Sequence, residues 1–163
     1  MTPTRDPVDE AVRHWAERRP ESARFRALTS MVRAYSVVTR EIEAVLQGLE
    51  LNLSRFEILL VLSFSRRGSL PASRLRDALM IHGSSVTYLL DRLEAAGLVA
   101  RAPDPEDRRV VRIALTDAGR DTLDRACALL VEGGFGAFAS VPEERLEVLS
   151  DVLNELRGGA NGT

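Results

Sequence analysis

The stretch from Leu53 to Leu115 permits few arrangements. Within it, Ser84-Ser85-Val86-Thr87-Tyr88-Leu89-Leu90-Asp91-Arg92-Leu93 carries apolar residues at helical spacing. Val86, Leu89, Leu90 and Leu93 fall on one face. Ser84, Thr87, Tyr88 and Asp91 fall on the other, flanked by Ser85 and Arg92. Gly97 supplies a C-terminal stop, because glycine takes the left-handed conformation that ends a helix. The segments Leu98-Val99-Ala100-Arg101 and Val110 to Leu115 are β-like, and Pro103 and Pro105 stiffen the charged loop between them.

Upstream, Ser54-Arg55-Phe56-Glu57 reads as a capping box with serine at the cap and glutamate three residues on, opening an apolar helix through Ile58 to Leu62. Arg66-Arg67-Gly68-Ser69 ends that helix. Pro71 suits the first position of the next one, which carries Leu75, Ala78 and Leu79, and His82-Gly83 turns into the Ser84 helix. Three helices and then a two-stranded hairpin with a charged tip make a winged helix-turn-helix, a device for reading DNA. The expected fold is mainly α with a small β-hairpin wing.

The flanks are helical as well. Val8, Ala11, Val12 and Trp15 form one stripe, and Pro20 separates them from a long helix over about Glu21 to Gly48. That helix keeps an apolar face through Phe25, Leu28, Val32, Tyr35, Val38, Ile42, Val45 and Leu49. It is too long for a small domain's own core, so packing against another chain is expected. Thr116 caps a fifth helix reaching about Val131, and Pro142 opens a last one. The expected division is N-terminal helices over 1–50, a winged lobe over 51–116, C-terminal helices over 117–157 and a loose tail over 158–163.

Charge separates along the same lines. The chain has 22 basic and 24 acidic residues, a net of −2. From Asn52 to Arg112 there are 10 arginines against 7 acids, a net of +3 within an otherwise acidic chain. Every basic residue is arginine, whose planar fork suits phosphates and guanine edges. Cys127 is the lone cysteine, so no intramolecular disulfide is possible. No apolar run resembles a membrane span, and the N-terminus lacks a signal-peptide core, so a reduced, cytoplasmic protein is expected. His14 and His82 stand apart from any cysteine, and no metal or cofactor is expected.

The chain resembles the multiple antibiotic resistance regulator (MarR) family. The matching pieces are Ser84 with Thr87, Asp91-Arg92-Leu93-Glu94 running into Ala96-Gly97-Leu98-Val99, Asp104 with Asp107-Arg108-Arg109, and Leu115-Thr116-Asp117-Ala118-Gly119. The helices on either side match that family's dimerisation layout. The resemblance implies a homodimer that controls transcription, usually as a repressor, and that is released from DNA by a small molecule, often phenolic or anionic.

Two copies would set each Ser84 helix in a major groove, on an imperfect palindrome with half-sites about one turn, ~10 bp, apart. Ser84, Ser85, Thr87 and Tyr88 are the candidate base-edge or phosphate contacts, although Ser84 also suits a plain helix cap. Arg92 suits either DNA or an internal salt bridge. Arg55 and Arg74 lie near helix starts, where they can position phosphates. The resemblance makes Arg109 a minor-groove finger and Asp107 the carboxylate that orients it, with Arg108 beside them for phosphate.

The resemblance also places an effector pocket between the dimerisation helices and the winged lobe. Trp15, Tyr35, Phe56 and Leu59 are its candidates here, and each equally suits ordinary core. A urate-type site is not expected. Glu57 stands where urate-responsive members tend to have aspartate, and Leu89 where they tend to have arginine. Cys127 has no basic sequence neighbour on the apolar face it shares, so it reads as packing rather than a redox sensor.

The alternative is a winged-helix interaction module without DNA binding. The net negative charge and the two acids on the Ser84 helix favour it, and the Asp107/Arg109 pair opposes it. An enzyme is not expected, because no glycine-rich nucleotide loop or nucleophile set is present.

Overall fold

The computed structural model describes residues 6–65, 68–79 and 83–160, with the backbone alone at 83, 84, 159 and 160. The chain divides into two compact units at Arg40 and Glu41, so the last residues of the long second helix belong to the second unit.

In the first unit, α1 (Pro7–Ala16) starts with Asp6 as cap, whose carboxylate accepts the Val8 N–H at 2.9 Å, and with Pro7 in the first turn, where no donor is needed. Its corner with α2 (Ser22–Leu46) is fixed by aromatics. The Trp15 and Phe25 rings stack with centroids 4.2 Å apart. Trp15 Nε1 donates to the Pro20 carbonyl at 2.9 Å, and the Arg19 guanidinium lies 5.2 Å from the Trp15 ring centre. Arg26 adds an ion pair to Asp9. Along α2, Leu28, Met31, Val32 and Tyr35 remain exposed. The long helix ends at Leu46, and a short 3-10 turn (Gln47–Leu49) completes the span read from sequence.

In the second unit, α3 (Leu53–Ser63), α4 (Ala72–Leu79), α5 (Gly83–Ala95) and α6 (Asp117–Glu132) surround a small antiparallel sheet. The core runs through Ile58, Leu59, Leu62, Leu75, Val86, Leu93 and Ile113, all buried to 2% exposure or less. Val86, Leu89, Leu90 and Leu93 are all buried, as their spacing required. The helix α7 (Glu143–Ala160) follows a second 3-10 turn (Gly136–Ser140) and leaves Val148, Leu149, Val152, Leu153 and Leu156 exposed along its length.

Four local expectations change. The sheet has three strands: β1 (Ser69–Pro71), β2 (Val99–Pro103) and β3 (Val111–Leu115), in the order β1-β3-β2. Pro71 closes β1 instead of opening α4. It sits on an edge strand, where its missing N–H costs no internal ladder bond. The cap of α3 is Asn52, not Ser54. Asn52 Oδ1 accepts the Arg55 N–H at 2.9 Å, and Leu51 before it and Phe56 after it are both buried, the pattern of a hydrophobic staple. The tail expected from residue 158 is helical through Ala160. The Arg66-Arg67 helix stop and the His82 turn lie outside the described residues.

The junction of α5, β2 and β3 is tight. Gly97, at φ +71°, ends α5 in a Schellman pattern, with Leu98 N–H donating to the Leu93 carbonyl and Gly97 N–H to that of Glu94, both at 2.9 Å. Thr116 Oγ1 donates to the Gly97 carbonyl at 2.6 Å and accepts the Gly119 N–H at 2.9 Å, while the Thr116 N–H donates to the Leu98 carbonyl at 3.1 Å. Gly119 therefore presses against that loop. A Cβ there would fall on the Leu98 carbonyl oxygen and 2.9 Å from its carbon. Gly119→Ala is expected to lower stability by about 2 kcal/mol or more, read as a urea midpoint shift with unchanged slope.

Candidate nucleic-acid interface

The outer face of α5 displays Ser85, Thr87, Tyr88, Asp91 and Arg92, all exposed. The side chain of Ser84 lies outside the described residues. Tyr88 and Arg92, one helical turn apart, act as a unit: Arg92 Nε donates to the Tyr88 hydroxyl at 3.3 Å, and the guanidinium sits 5.4 Å from the ring centre. The internal salt bridge considered for Arg92 does not form among the described residues. Asn52, Arg55, Tyr88, Leu89 and Arg92 enclose a recess of about 240 Å³ on this side of the lobe. Arg55 is half-buried, with Nε 3.4 Å from the capping oxygen of Asn52, and Arg74 stands exposed on α4. Sequence reasoning did not find Asn52, whose role as cap also brings it to the recess it shares with Arg55 and Arg92.

The wing is a ladder of local hydrogen bonds. Asp104 N–H donates to the Val110 carbonyl at 2.8 Å, and Val110 N–H to that of Asp107 at 2.9 Å. Asp107 Oδ1 accepts the backbone N–H of Arg109 at 2.9 Å, an Asx turn. The Asp107 carboxylate thus grips the main chain of Arg109, and the side chains of Arg108 and Arg109 are exposed at the tip.

Beneath the tip is an ion pair that the sequence did not single out. Arg112 Nη1 donates to Asp104 Oδ2 at 2.8 Å, with the two side chains only 16% and 15% exposed. Its Nε and Nη2 reach the Ser69 hydroxyl and carbonyl at 2.9 and 2.8 Å. One guanidinium therefore joins β1, β3 and the entrance of the loop. The only sequence signal was the break that Arg112 makes between Val111 and Ile113. Arg101, from β2, pairs with Asp91 and Glu94 of α5.

The effector candidates are divided. Trp15 is held in its stack and Tyr35 is exposed, both in the first unit; Phe56 and Leu59 are buried in the core of the second. An open groove of about 610 Å³ lies along α1 and α2, walled by Val8, Ala11, Leu28, Val32 and Val37 with Arg33 and Arg40 at its edge; neither Trp15 nor Tyr35 lines it. Burial, seconded by the charge of Asp124, pushes the Cys127 thiol up, and burial raises the Glu57 carboxyl. Cys127 is thus kept further from its reactive thiolate. Among the described residues, no cluster of histidine, cysteine and acids has metal-ligating geometry.

A helix with an exposed hydroxyl-bearing face, packed beside a hairpin tipped by two arginines, defines a winged helix-turn-helix DNA-binding protein. Residues 51–111 match the MarR family model. The chain is 31% identical over 154 residues to the HTH-type transcriptional regulator PecS of Dickeya dadantii, spanning 91% of this chain and 92% of that protein. It superposes with a TM-score of 0.76 and 35% identity on Sco5413, a MarR family transcriptional regulator from Streptomyces coelicolor, covering 82% of this chain and 92% of that one. A transcriptional repressor, CouR, solved bound to a 23-mer DNA duplex, matches at 26% identity and a TM-score of 0.71, over 78% and 89% of the two chains. The chain belongs to the MarR family of transcriptional regulators, and it is a DNA-binding regulator rather than an enzyme.

Asp104 gives the wing a pH dependence. Its carboxyl is held below the usual carboxylate range, first by the hydrogen bond from Arg112 and then by the Glu106 N–H, with the Asp107 N–H and the Arg112 charge adding to the effect against an opposing push from burial. A carboxyl lowered in the folded state stabilises fully above its unfolded value, about 3.9, and loses that contribution as pH falls through the folded value. Urea midpoints measured downward from neutral pH are expected to fall less steeply in acid for Asp104→Asn than for the parent chain.

Proposed function

We propose that the chain works as a homodimeric repressor that leaves its operator when a small molecule binds. The exposed face of α5 and the arginine-tipped wing, both fixed within one compact unit, carry this reading. Each α5 enters a major groove, with Ser84, Ser85, Thr87, Tyr88 and Arg92 at base edges or phosphates. Arg109 reaches the adjoining minor groove from a main chain held by Asp107, Arg108 meets phosphate, and Arg55 and Arg74 position the backbone. Two copies spaced by about one turn of duplex, ~10 bp, bind an imperfect palindrome.

Dimerisation is supported by apolar stripes left exposed on α2 and on α7, since contiguous exposed apolar surface marks a contact face. Repression is supported by the name of the DNA-bound relative CouR. The α1–α2 groove, apolar with arginines at its edge, suits an apolar molecule bearing an anionic group. Action in the cytoplasm fits a lone cysteine, and no described helix is long and apolar enough to cross a membrane.

The test is a salt titration of binding to DNA upstream of the chain's own gene, with size-exclusion light scattering on the same sample. Arg109→Ala is expected to weaken binding roughly tenfold or more with an unchanged melting temperature, and to flatten the log affinity–log salt slope by about 0.9 if one phosphate contact is lost with it. Unchanged affinity at physiological salt overturns the finger role, and a monomer in solution overturns the two-half-site arrangement.

A further inference from the structure

Asp91 and Glu94 stand three residues apart on α5, with side chains 56% and 41% exposed. Carboxylates on the helix presented to DNA are a physical problem, because phosphates repel them at the range where ordinary salt only partly screens. Arg101 answers it. It enters from β2, opposite Ile113 in the ladder, and a single nitrogen, Nη1, lies 2.7 Å from Asp91 Oδ1 and 2.8 Å from Glu94 Oε2. Its own side chain is only 28% exposed, so it is a fixed counter-charge rather than a passing surface contact. Arg92, on the same stretch of helix, turns to the Tyr88 ring and hydroxyl and forms no ion pair among the described residues.

We propose that Arg101 is a positioning residue for DNA binding. It holds both carboxylates of the recognition helix against β2 and offsets one of their two charges, so that α5 approaches the phosphate backbone with less repulsion and Arg92 stays free of acid partners. This rests on α5 being the groove-facing helix. The repulsion it relieves is independent of sequence, so a short random-sequence duplex at low ionic strength serves as the probe.

Arg101→Met is expected to bind that duplex roughly tenfold more weakly than the parent chain at low salt, with the two affinities converging as salt rises. Neutralising the acids as well, in Arg101→Met/Asp91→Asn/Glu94→Gln, is expected to restore binding, and Arg101→Lys to retain it. If Arg101 were merely a structural tie, the loss would be the same at every salt and would persist in the triple variant; either result overturns the proposal. Should Arg101→Met fail to fold, Asp91→Asn/Glu94→Gln with Arg101 intact decides the matter. It is expected to bind more tightly than the parent, and equal or weaker binding overturns the idea. A parent chain that binds no duplex would instead remove the groove-facing role of α5, and this proposal with it.

Discussion

The winged lobe depends on the bonds that Thr116 makes to the loop ending α5. Through its hydroxyl and its N–H, that residue closes the space between the end of α5, the base of the hairpin and the start of α6. Gly119 lets α6 approach the same loop at a distance no side chain permits. A helix and a hairpin joined only by a short turn would otherwise pivot against each other. Here their relative angle is set by hydrogen bonds, so the hydroxyl face of α5 and the arginine tip of the wing are presented together.

A second network serves the wing itself. The loop from Asp104 to Val110 is stiffened from within by its aspartates and from below by Arg112, which reaches Ser69 forty-three residues away in the chain. Charge is arranged the same way. The chain is net acidic, yet in this lobe the carboxylates of Asp91, Glu94 and Asp104 are occupied by Arg101 and Arg112. The tip arginines and Arg92 are left without acid partners among the described residues, so positive charge stands exposed on the wing and on α5 despite the acidic total.

Much of this was legible in the sequence wherever short-range periodicity or turn chemistry decided it. The spacing of Val86, Leu89, Leu90 and Leu93 is enough to define the buried side of α5, and Gly97 and Thr116 mark its end and the next start. What was not legible depended on distant partners. Ser69-Leu70-Pro71 is too short to announce a strand, and it becomes one because β3 has a free edge beside it. Ser54 and Asn52 are both competent caps, and packing of the buried Leu51 and Phe56 goes with the earlier one. Among 22 arginines, local pattern does not say which are committed to ion pairs. Arg101 and Arg112 are distinguished only by the carboxylates that folding brings to them. Whether Trp15, Tyr35, Phe56 and Leu59 line a cavity or fill a core is not legible from sequence, because residues on apolar stripes read alike in both cases.

The chain holds a single tryptophan, and its indole stacks on the Phe25 ring with the Arg19 guanidinium close to it. Indole emission responds to stacking and to nearby cations, so the N-terminal corner carries a built-in optical reporter. Opening of the α1–α2 corner, which unstacks that ring from Phe25, is thereby visible in the fluorescence of the unlabelled protein.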